Sequence, residues 1–319
     1  MTRVLITGAA GFIGSTLAAR LLDEGHDVTG LDSLSPSYST AIKRANLAAL
    51  PPERFHFLQR DLASDDIDAT VADAEAIVHL AGRPGVRMSW GADFEGYLRD
   101  NVLGTQRLLE AAVRAGSTAR FVHASSSSVY GQHLGIPTVE TAPLHPHSPY
   151  GTTKLSAEQL VGAYAANFGL RGVALRLFTV YGPGQRPDMA FQKFLTAIAA
   201  GEPVAVYGSG DQIRDFTYVD DVVDAISRAL EHDGVLPPVL NIAGGTSTSV
   251  NEVLALLGEI TGLPVAIERH PAALGDVDRT DADSSLARAA LDWAPRVGLR
   301  EGIERQWTRV MARRTAGAY

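Results

Sequence analysis

The sequence contains no cysteine among its 319 residues, and this absence excludes a disulfide framework, thiolate catalysis and metal sites with cysteine ligands. Positive charge is scarce, since 28 lysines and arginines face 36 aspartates and glutamates, for a net charge of −8, and nucleic-acid binding is not expected. No apolar run approaches the roughly 18 residues of a membrane span. The N-terminal residues lack the cleavage site of a signal peptide. We therefore expect a cytoplasmic protein without membrane contact.

Lysine is rare as well. Only Lys43, Lys154 and Lys193 are lysines, and the other 25 basic residues are arginines. A chain that uses arginine almost everywhere points to a specific need for lysine at one of these positions, because the two side chains are not interchangeable. His145 and His147 share a short loop, but two ligands without an acidic cluster do not make a metal site, and none is predicted.

Apolar residues are abundant, and short apolar runs alternate along the chain with longer helical patterns. Short β-branched runs at 4–6, 28–31, 55–58, 76–80, 121–123 and 173–177 are apolar on both faces. Helical patterns such as 12–22 and 97–115 lie between them. Apolar strands separated by helices predict an α/β fold with a doubly wound parallel sheet that is covered on both sides.

A glycine triplet follows the first predicted strand directly. Gly8 permits a tight turn, Gly11 permits close approach of a pyrophosphate, and Gly14 permits the helix to pack against the strand. The helix begins at Phe12 and Ile13, so its N-terminus adds partial positive charge at the same place. The motif predicts a Rossmann-type dinucleotide site.

A carboxylate ends the second predicted strand. Asp32 lies 18 residues beyond Gly14, where it would accept hydrogen bonds from both ribose hydroxyls and repel a 2′-phosphate. NAD is therefore preferred to NADP. Asp61 ends the third predicted strand and is a candidate for the adenine, with an ordinary strand-end aspartate as the alternative.

After about residue 177 the pattern becomes less regular. Glycine and proline cluster, the predicted strands 204–206 and 239–242 are short, and helical patterns follow at 250–260 and 299–311. We predict a Rossmann domain over residues 1–178 and a smaller α/β substrate lobe over 179–319, with about 215–245 returning to the first domain.

One helix start carries a tyrosine and a lysine on the same face. Ser148-Pro149 is a typical N-cap followed by proline, and Tyr150 and Lys154 then lie four residues apart. An ammonium beside a phenol lowers the phenol pKa toward neutrality, which predicts Tyr150 as a general acid or base. The serine-rich segment that includes Ser126 ends the fifth strand, at the sheet edge where ligands bind.

Together these motifs resemble the extended short-chain dehydrogenase/reductase superfamily, in its NAD-dependent nucleotide-sugar epimerase/dehydratase branch. The resemblance covers nearly the whole chain and includes His79-Leu-Ala, Tyr181-Gly-Pro and Arg214-Asp-Phe-Thr-Tyr-Val-Asp. It implies Ser126 as the third catalytic residue beside Tyr150 and Lys154, and Arg214 as a ligand of the nucleotide diphosphate. It also implies further NAD contacts from Asp61, Leu62, Leu80, Ala81 and Asn101.

Three features of the sequence distinguish between the activities found in this branch. Ser127 and Ser128 stand where 4,6-dehydratases carry an Asp-Glu pair, so dehydration is disfavoured. Thr179, Arg186 and Arg87 resemble the pattern of UDP-glucuronate 4-epimerases, and guanidinium groups suit a sugar carboxylate at C6. For each arginine, a pyrophosphate contact or a surface ion pair is the alternative.

The predicted C-terminal lobe differs from the pattern of UDP-glucuronate 4-epimerases at one segment. The segment Ala273-Leu-Gly-Asp276-Val lacks the usual glutamine, so we expect Asp276 near the nucleotide, with Arg279 as a replacement contact.

The resemblance implies an enzyme that interconverts UDP-glucuronate and UDP-galacturonate by transient oxidation at C4 through a 4-keto intermediate. The alternatives are a UDP-glucose 4-epimerase, a nucleotide-sugar decarboxylase or dehydratase and, more remotely, a non-catalytic NAD-binding regulator. The resemblance also implies a homodimer in which helices at 97–115 and 150–167 form a four-helix bundle.

Overall fold

The computed structural model describes residues 1–132 and 137–315. The strands in this part of the chain are β1 (Arg3–Thr7), β2 (Asp27–Asp32), β3 (Phe55–Gln59), β4 (Ala76–His79), β5 (Arg120–Ser126), β6 (Arg171–Leu177), β7 (Thr179–Tyr181), β8 (Val204–Tyr207), β9 (Ile213–Tyr218), β10 (Val239–Ile242), β11 (Ser247–Ser249), β12 (Ile267–His270) and β13 (Arg279–Thr280). The α-helices are α1 (Phe12–Asp23), α2 (Thr40–Ala48), α3 (Asp68–Ala72), α4 (Phe94–Tyr97), α5 (Gly104–Arg114), α6 (Pro149–Phe168), α7 (Ala190–Ala200), α8 (Val219–Glu231), α9 (Val250–Thr261), α10 (Ser285–Leu291) and α11 (Leu299–Thr315).

A parallel sheet of seven strands forms the centre of the molecule, in the order β10-β6-β5-β4-β1-β2-β3. Successive residues of β1 point to opposite faces. Val4 and Ile6 pack into the cluster that includes α1 and α8, whereas Leu5 packs into the cluster that includes α5 and α6. Burial on both faces explains why these strands are apolar throughout. The predicted α/β class with a doubly wound parallel sheet is confirmed.

Two smaller sheets lie after residue 178. Strand β9 pairs with β11 in antiparallel fashion and with β7 and β13 in parallel fashion, and β12 pairs with β8. Strand β10 belongs to the large sheet, where it extends the edge beside β6. Among the described residues, no helix is long and apolar enough to cross a membrane.

The helix predicted over 97–115 is confirmed, and part of it is a π-helix. The π-helix occupies Leu98–Leu103 between α4 and α5, and the helical conformation continues to Arg114. The Thr105 hydroxyl, at the start of α5, donates to the Asn101 carbonyl at 2.6 Å. The Asn101 side-chain amide bridges Arg83 and Thr153, and this tertiary contact is not visible in the local sequence.

Candidate active site

One cavity of about 410 Å³ opens at the carboxyl ends of the large sheet's strands. Its volume is within the range of small-molecule sites. Its lining includes every residue predicted to bind the cofactor or to act in catalysis, and four of those predicted to bind substrate only. These are Gly8, Gly11, Phe12, Ile13, Gly14, Asp32, Asp61, Leu62, Leu80, Ala81, Asn101, Ser126, Ser127, Ser128, Tyr150, Lys154, Thr179 and Arg186.

The glycine turn has no space for side chains. Gly8 has φ of +74°, and a Cβ there would lie 2.8 Å from the Ala81 nitrogen. A Cβ on Gly14 would lie 2.2 Å from the Gly8 oxygen. Gly11 is the N-cap of α1 and no side chain caps the helix, so its first-turn N–H groups are available to an anion.

Asp32 is fixed at the end of β2 by backbone donors. Its carboxylate accepts from the Ala10 N–H at 3.1 Å and from the Leu34 N–H at 2.8 Å. The Lys43 ammonium lies 3.9 Å from Asp32 and donates to the Ser35 carbonyl at 2.9 Å. Lys43 therefore belongs to this site. Lys43 had no role in the sequence analysis, because it is supplied by a separate helix, α2.

The remaining residues on the predicted cofactor side are Asp61, which follows β3, and Asn101 of the π-helix. Asp61 accepts from the Ala63 N–H at 2.9 Å and pairs with Arg99. Asn101 is 2% exposed, and its oxygen accepts from the Arg83 N–H. No motif or spacing in the sequence predicts that Arg99 pairs with Asp61, because Arg99 reaches this carboxylate from the π-helix.

The tyrosine, lysine and serine meet where α6 begins beside the end of β5. Ser148 caps α6 by accepting from the Gly151 N–H at 3.1 Å, as the Ser-Pro motif predicts. The Tyr150 phenol forms a hydrogen bond with the Ser126 side chain. The Lys154 ammonium donates to the Ala124 carbonyl on β5.

Burial controls the protonation of both groups. It raises the pKa of the Tyr150 phenol, against the hydrogen bond with Ser126 and the charge of Arg186, which lower it. It also lowers the pKa of Lys154 to about 8, with Glu158 acting in the opposite direction. The prediction that Lys154 lowers the pKa of the Tyr150 phenol is therefore wrong here. Desolvation of the phenol dominates, and the ammonium is directed at a backbone carbonyl.

A buried carboxylate joins the elements that carry these groups. Glu158 on α6 accepts from the Ser125 hydroxyl at 2.7 Å and from Arg176 of β6. Both members of the ion pair are 3% exposed. Because Glu158 of α6 contacts both β5 and β6, it fixes the ends of these strands relative to α6.

Arg186 and Thr179 lie in the same cavity as Tyr150. The Arg186 side chain is 13% exposed and forms a two-point ion pair with Asp188, at 2.9 and 2.6 Å. Its guanidinium carbon lies 5.2 Å from the centre of the Tyr38 ring. Tyr38 was not predicted from the sequence, and Asp188 was noted there only as part of the motif that follows Arg186, without a role of its own.

Arg87 lies elsewhere. It pairs with Asp276 at 2.9 Å and stacks on Tyr207, with the guanidinium carbon 4.1 Å from the ring centre. The charges that act on Arg214 include Asp276 and Arg87, so these three form one group outside the main cavity lining. Arg279 is in β13, beside β9, and pairs with Asp281 at 2.8 Å. Arg87 and Arg186 thus have different carboxylate partners.

A family model described as the NAD dependent epimerase/dehydratase family matches residues 4–243. The chain is 41% identical over 303 residues to an uncharacterized UDP-glucose epimerase YtcB of Bacillus subtilis, covering 94% of this chain and 95% of that protein. It is 36% identical over 326 residues to a probable UDP-glucuronate 4-epimerase of Rhizobium meliloti, covering 95% of each.

Two solved structures are similar along nearly their whole length. UDP-glucuronic acid 4-epimerase from Bacillus cereus, in complex with UDP-glucuronic acid and NAD, gives a TM-score of 0.94 at 38% identity and covers 97% of this chain and 99% of its own. MoeE5, in complex with UDP-glucuronic acid and NAD, gives a TM-score of 0.88 at 44% identity and covers 98% of this chain and 99% of its own. MoeE5 has also been solved with UDP-glucose and NAD.

Proposed function

Because the chain belongs to the NAD dependent epimerase/dehydratase family, we propose that it interconverts UDP-glucuronate and UDP-galacturonate by epimerisation at C4. The observation that carries this proposal is the single cavity in which the hydrogen-bonded Tyr150–Ser126 pair lies together with Arg186 and Thr179. A proton-transfer group and a candidate carboxylate-binding group are therefore available to one sugar.

The cavity fits NAD. The uncapped start of α1 and the turn at Gly8, which has no space for a Cβ, suit a pyrophosphate, and Asp32 suits the ribose. NAD bound there supplies a reversible hydride acceptor for C4 of the sugar. Lys43, Asp61 and Asn101 complete the set of residues that would hold it.

Tyr150 moves the proton in this proposal. In its phenolate form Tyr150 takes the proton of the sugar 4-hydroxyl as C4 is oxidised, and the phenol formed in this way returns the proton after the 4-keto sugar has turned within the cavity. Ser126 holds the same sugar oxygen through its hydroxyl. Lys154 lines the same cavity, and its buried ammonium is held by the Ala124 carbonyl of β5.

Arg186 and Thr179 are assigned to the C6 carboxylate. A 4-keto uronate is a β-keto acid, and it loses CO2 when the C5–C6 bond aligns with the carbonyl π system. Holding the carboxylate out of that alignment protects the intermediate, which is an orientation effect. The cluster of Arg87, Arg214 and Asp276 supports diphosphate binding there, and Arg279 remains a candidate contact of the nucleotide.

A second candidate is UDP-glucose 4-epimerase. Arg186 is already paired with Asp188, so a neutral hydroxymethyl group at C6 would leave no unpaired cation. The Bacillus subtilis relative carries a UDP-glucose epimerase name, and MoeE5 was solved with UDP-glucose.

The proposal includes a cytoplasmic homodimer. Leu98 and Leu103 are 44% and 45% exposed on the π-helix, and Phe168 at the end of α6 is 61% exposed. Large apolar side chains on these neighbouring helices favour burial against a second copy. A reaction that needs NAD and no thiol chemistry supports the cytoplasm as its compartment. Light scattering that gives a monomer mass would contradict the dimer.

The experiment compares two substrates. The purified protein, without added NAD and then with it, is incubated with UDP-glucuronate and separately with UDP-glucose, and the anomeric protons are followed by NMR. We expect UDP-galacturonate from the first, and Tyr150→Phe serves as the inactive control. Turnover of UDP-glucose alone would establish the second candidate instead, and formation of a UDP-pentose would indicate a decarboxylase.

A further inference from the structure

Arg186 and Asp188 are brought together by a fixed turn. The Met189 N–H donates to the Arg186 carbonyl at 3.1 Å, which closes a β-turn with Pro187 in its second position. The preceding residue, Gln185, is 3% exposed and donates to the Val180 carbonyl at 3.0 Å. The backbone that carries the pair is therefore held before any ligand binds.

The ion pair uses one edge of the guanidinium. Nε and Nη2 of Arg186 donate to the two carboxylate oxygens of Asp188, a side-on arrangement. A guanidinium has five N–H groups, and this pair takes two of them. The terminal edge between Nη1 and Nη2 keeps three, and Nη1 has no hydrogen-bond partner within residues 1–132 and 137–315. A second carboxylate can bind at that edge without displacing Asp188.

The Tyr38 ring gives Arg186 a second contact. The Arg186 guanidinium carbon lies 5.2 Å from the centre of this ring, and the Lys43 ammonium lies 4.9 Å from the same centre. Asp188 thus fixes one edge of Arg186 and Tyr38 packs beside it, so both contacts restrict a side chain with many rotamers.

Resting on the proposed function, we propose that Asp188 is a positioning residue that determines specificity for a nucleotide-sugar uronate. By holding Arg186 side-on, it presents the terminal edge of the guanidinium to the C6 carboxylate of the substrate. Planar two-point binding of a carboxylate depends on this alignment, whereas a neutral sugar gains little from it. The loss of Asp188 therefore weakens the binding of uronates selectively.

The test is Asp188→Ala in the full-length enzyme with its NAD. We expect the KM for UDP-glucuronate to rise about tenfold, which is the scale of re-ordering one long side chain. The kcat should change by less than about threefold, because the proton-transfer groups are untouched. The KM of UDP-glucose, or its inhibition constant if it is not turned over, should stay the same. Asp188→Asn keeps one acceptor oxygen and should give an intermediate KM.

Asp68 offers a matched control. It is 51% exposed, compared with 48% for Asp188, and binds Arg114 side-on at 3.0 and 2.6 Å. Neither residue of this control pair lines the cavity. Asp68→Ala should leave the KM values of both sugars unchanged.

Three results would overturn the inference while leaving the proposed function intact. The first is a lower KM for UDP-glucuronate in Asp188→Ala, because Asp188 would then compete with the substrate. The second is an equal change in KM for UDP-glucuronate and UDP-glucose in Asp188→Ala. The third is a set of KM values in Asp188→Ala that does not differ from that of Asp68→Ala. If the wild-type enzyme does not turn over UDP-glucuronate at all, the proposed function fails first, and the inference fails with it.

Discussion

His79 is a buried histidine that burial keeps neutral, with a hydrogen bond at each ring nitrogen. The Thr105 hydroxyl donates to the Asn101 carbonyl at 2.6 Å, so its oxygen can only accept from Nε2 of His79, which lies 2.8 Å away. Nδ1 is then the acceptor for the Thr7 hydroxyl, also at 2.8 Å. Burial, together with the charge of Lys154, lowers the pKa of His79 to about 3.

This shift makes folding sensitive to acid. The unfolded chain binds a proton at this ring below about pH 6.5, whereas the folded protein does so only near pH 3, so stability is present above pH 6.5 and is lost as the pH falls toward 3. At pH 5 the ratio of protonated to neutral His79 in the unfolded chain is about 30 to 1. This preference lowers the free energy of unfolding by about 2 kcal/mol. We expect His79 alone to remove about that much free energy of unfolding between pH 7.5 and 5.

The assay is urea unfolding followed by tryptophan fluorescence at pH 7.5, 6 and 5. In His79→Gln, the difference between pH 7.5 and 5 should be smaller than in the wild type by about 2 kcal/mol, although the variant is less stable at pH 7.5. His56→Gln removes an exposed histidine of β3 and should follow the wild type. Equal pH dependence in His79→Gln and the wild type would refute the reasoning, as would ¹⁵N shifts of a protonated His79 at pH 5.5.

Three further predictions concern the cavity. Tyr150→Phe should lower kcat about 10³-fold while the Kd for UDP-glucuronate in calorimetry stays within about threefold, and retention of a tenth of the activity would contradict the proton-transfer role. Asp32→Ala should raise the affinity for NADP relative to NAD at least about tenfold, because Lys43 is then free to meet a 2′-phosphate; an unchanged ratio in cofactor titrations would contradict this. Arg186→Ala should release CO2 from UDP-glucuronate or stall, and NMR that finds normal epimerisation with no carbon loss would contradict its role.

Features that depend on local sequence were predictable. The apolar strands of the large sheet, the Gly8 turn and the start of α6 at Ser148-Pro149 each follow from neighbouring residues, and all were found. Strands β7, β9 and β11 to β13 were missed. Four of these strands have four residues or fewer, and the pairing of all five depends on distant segments.

Contacts between distant segments were not predictable. Arg87 and Asp276 are 189 residues apart, and only the packed structure reveals that they form a pair. Lys43 reaches Asp32 from a separate helix, so the spacing that identified Asp32 carried no information about its partner. The pKa of Tyr150 was misjudged for a related reason: desolvation depends on the whole cavity, whereas the motif shows only the nearest charge.

The position of β10 determines how the protein can be divided. The chain leaves the large sheet after β6, builds β7 to β9, and returns with Val239–Ile242 to cover the edge of β6. One apolar cluster extends from Val4 to Val310. A fragment that ends at residue 178 would expose β6 as an open edge and lose part of that cluster, so we expect it to aggregate rather than fold. The predicted boundary after residue 178 is thus not expected to be a boundary of cooperative unfolding, and the two predicted lobes should melt in a single transition.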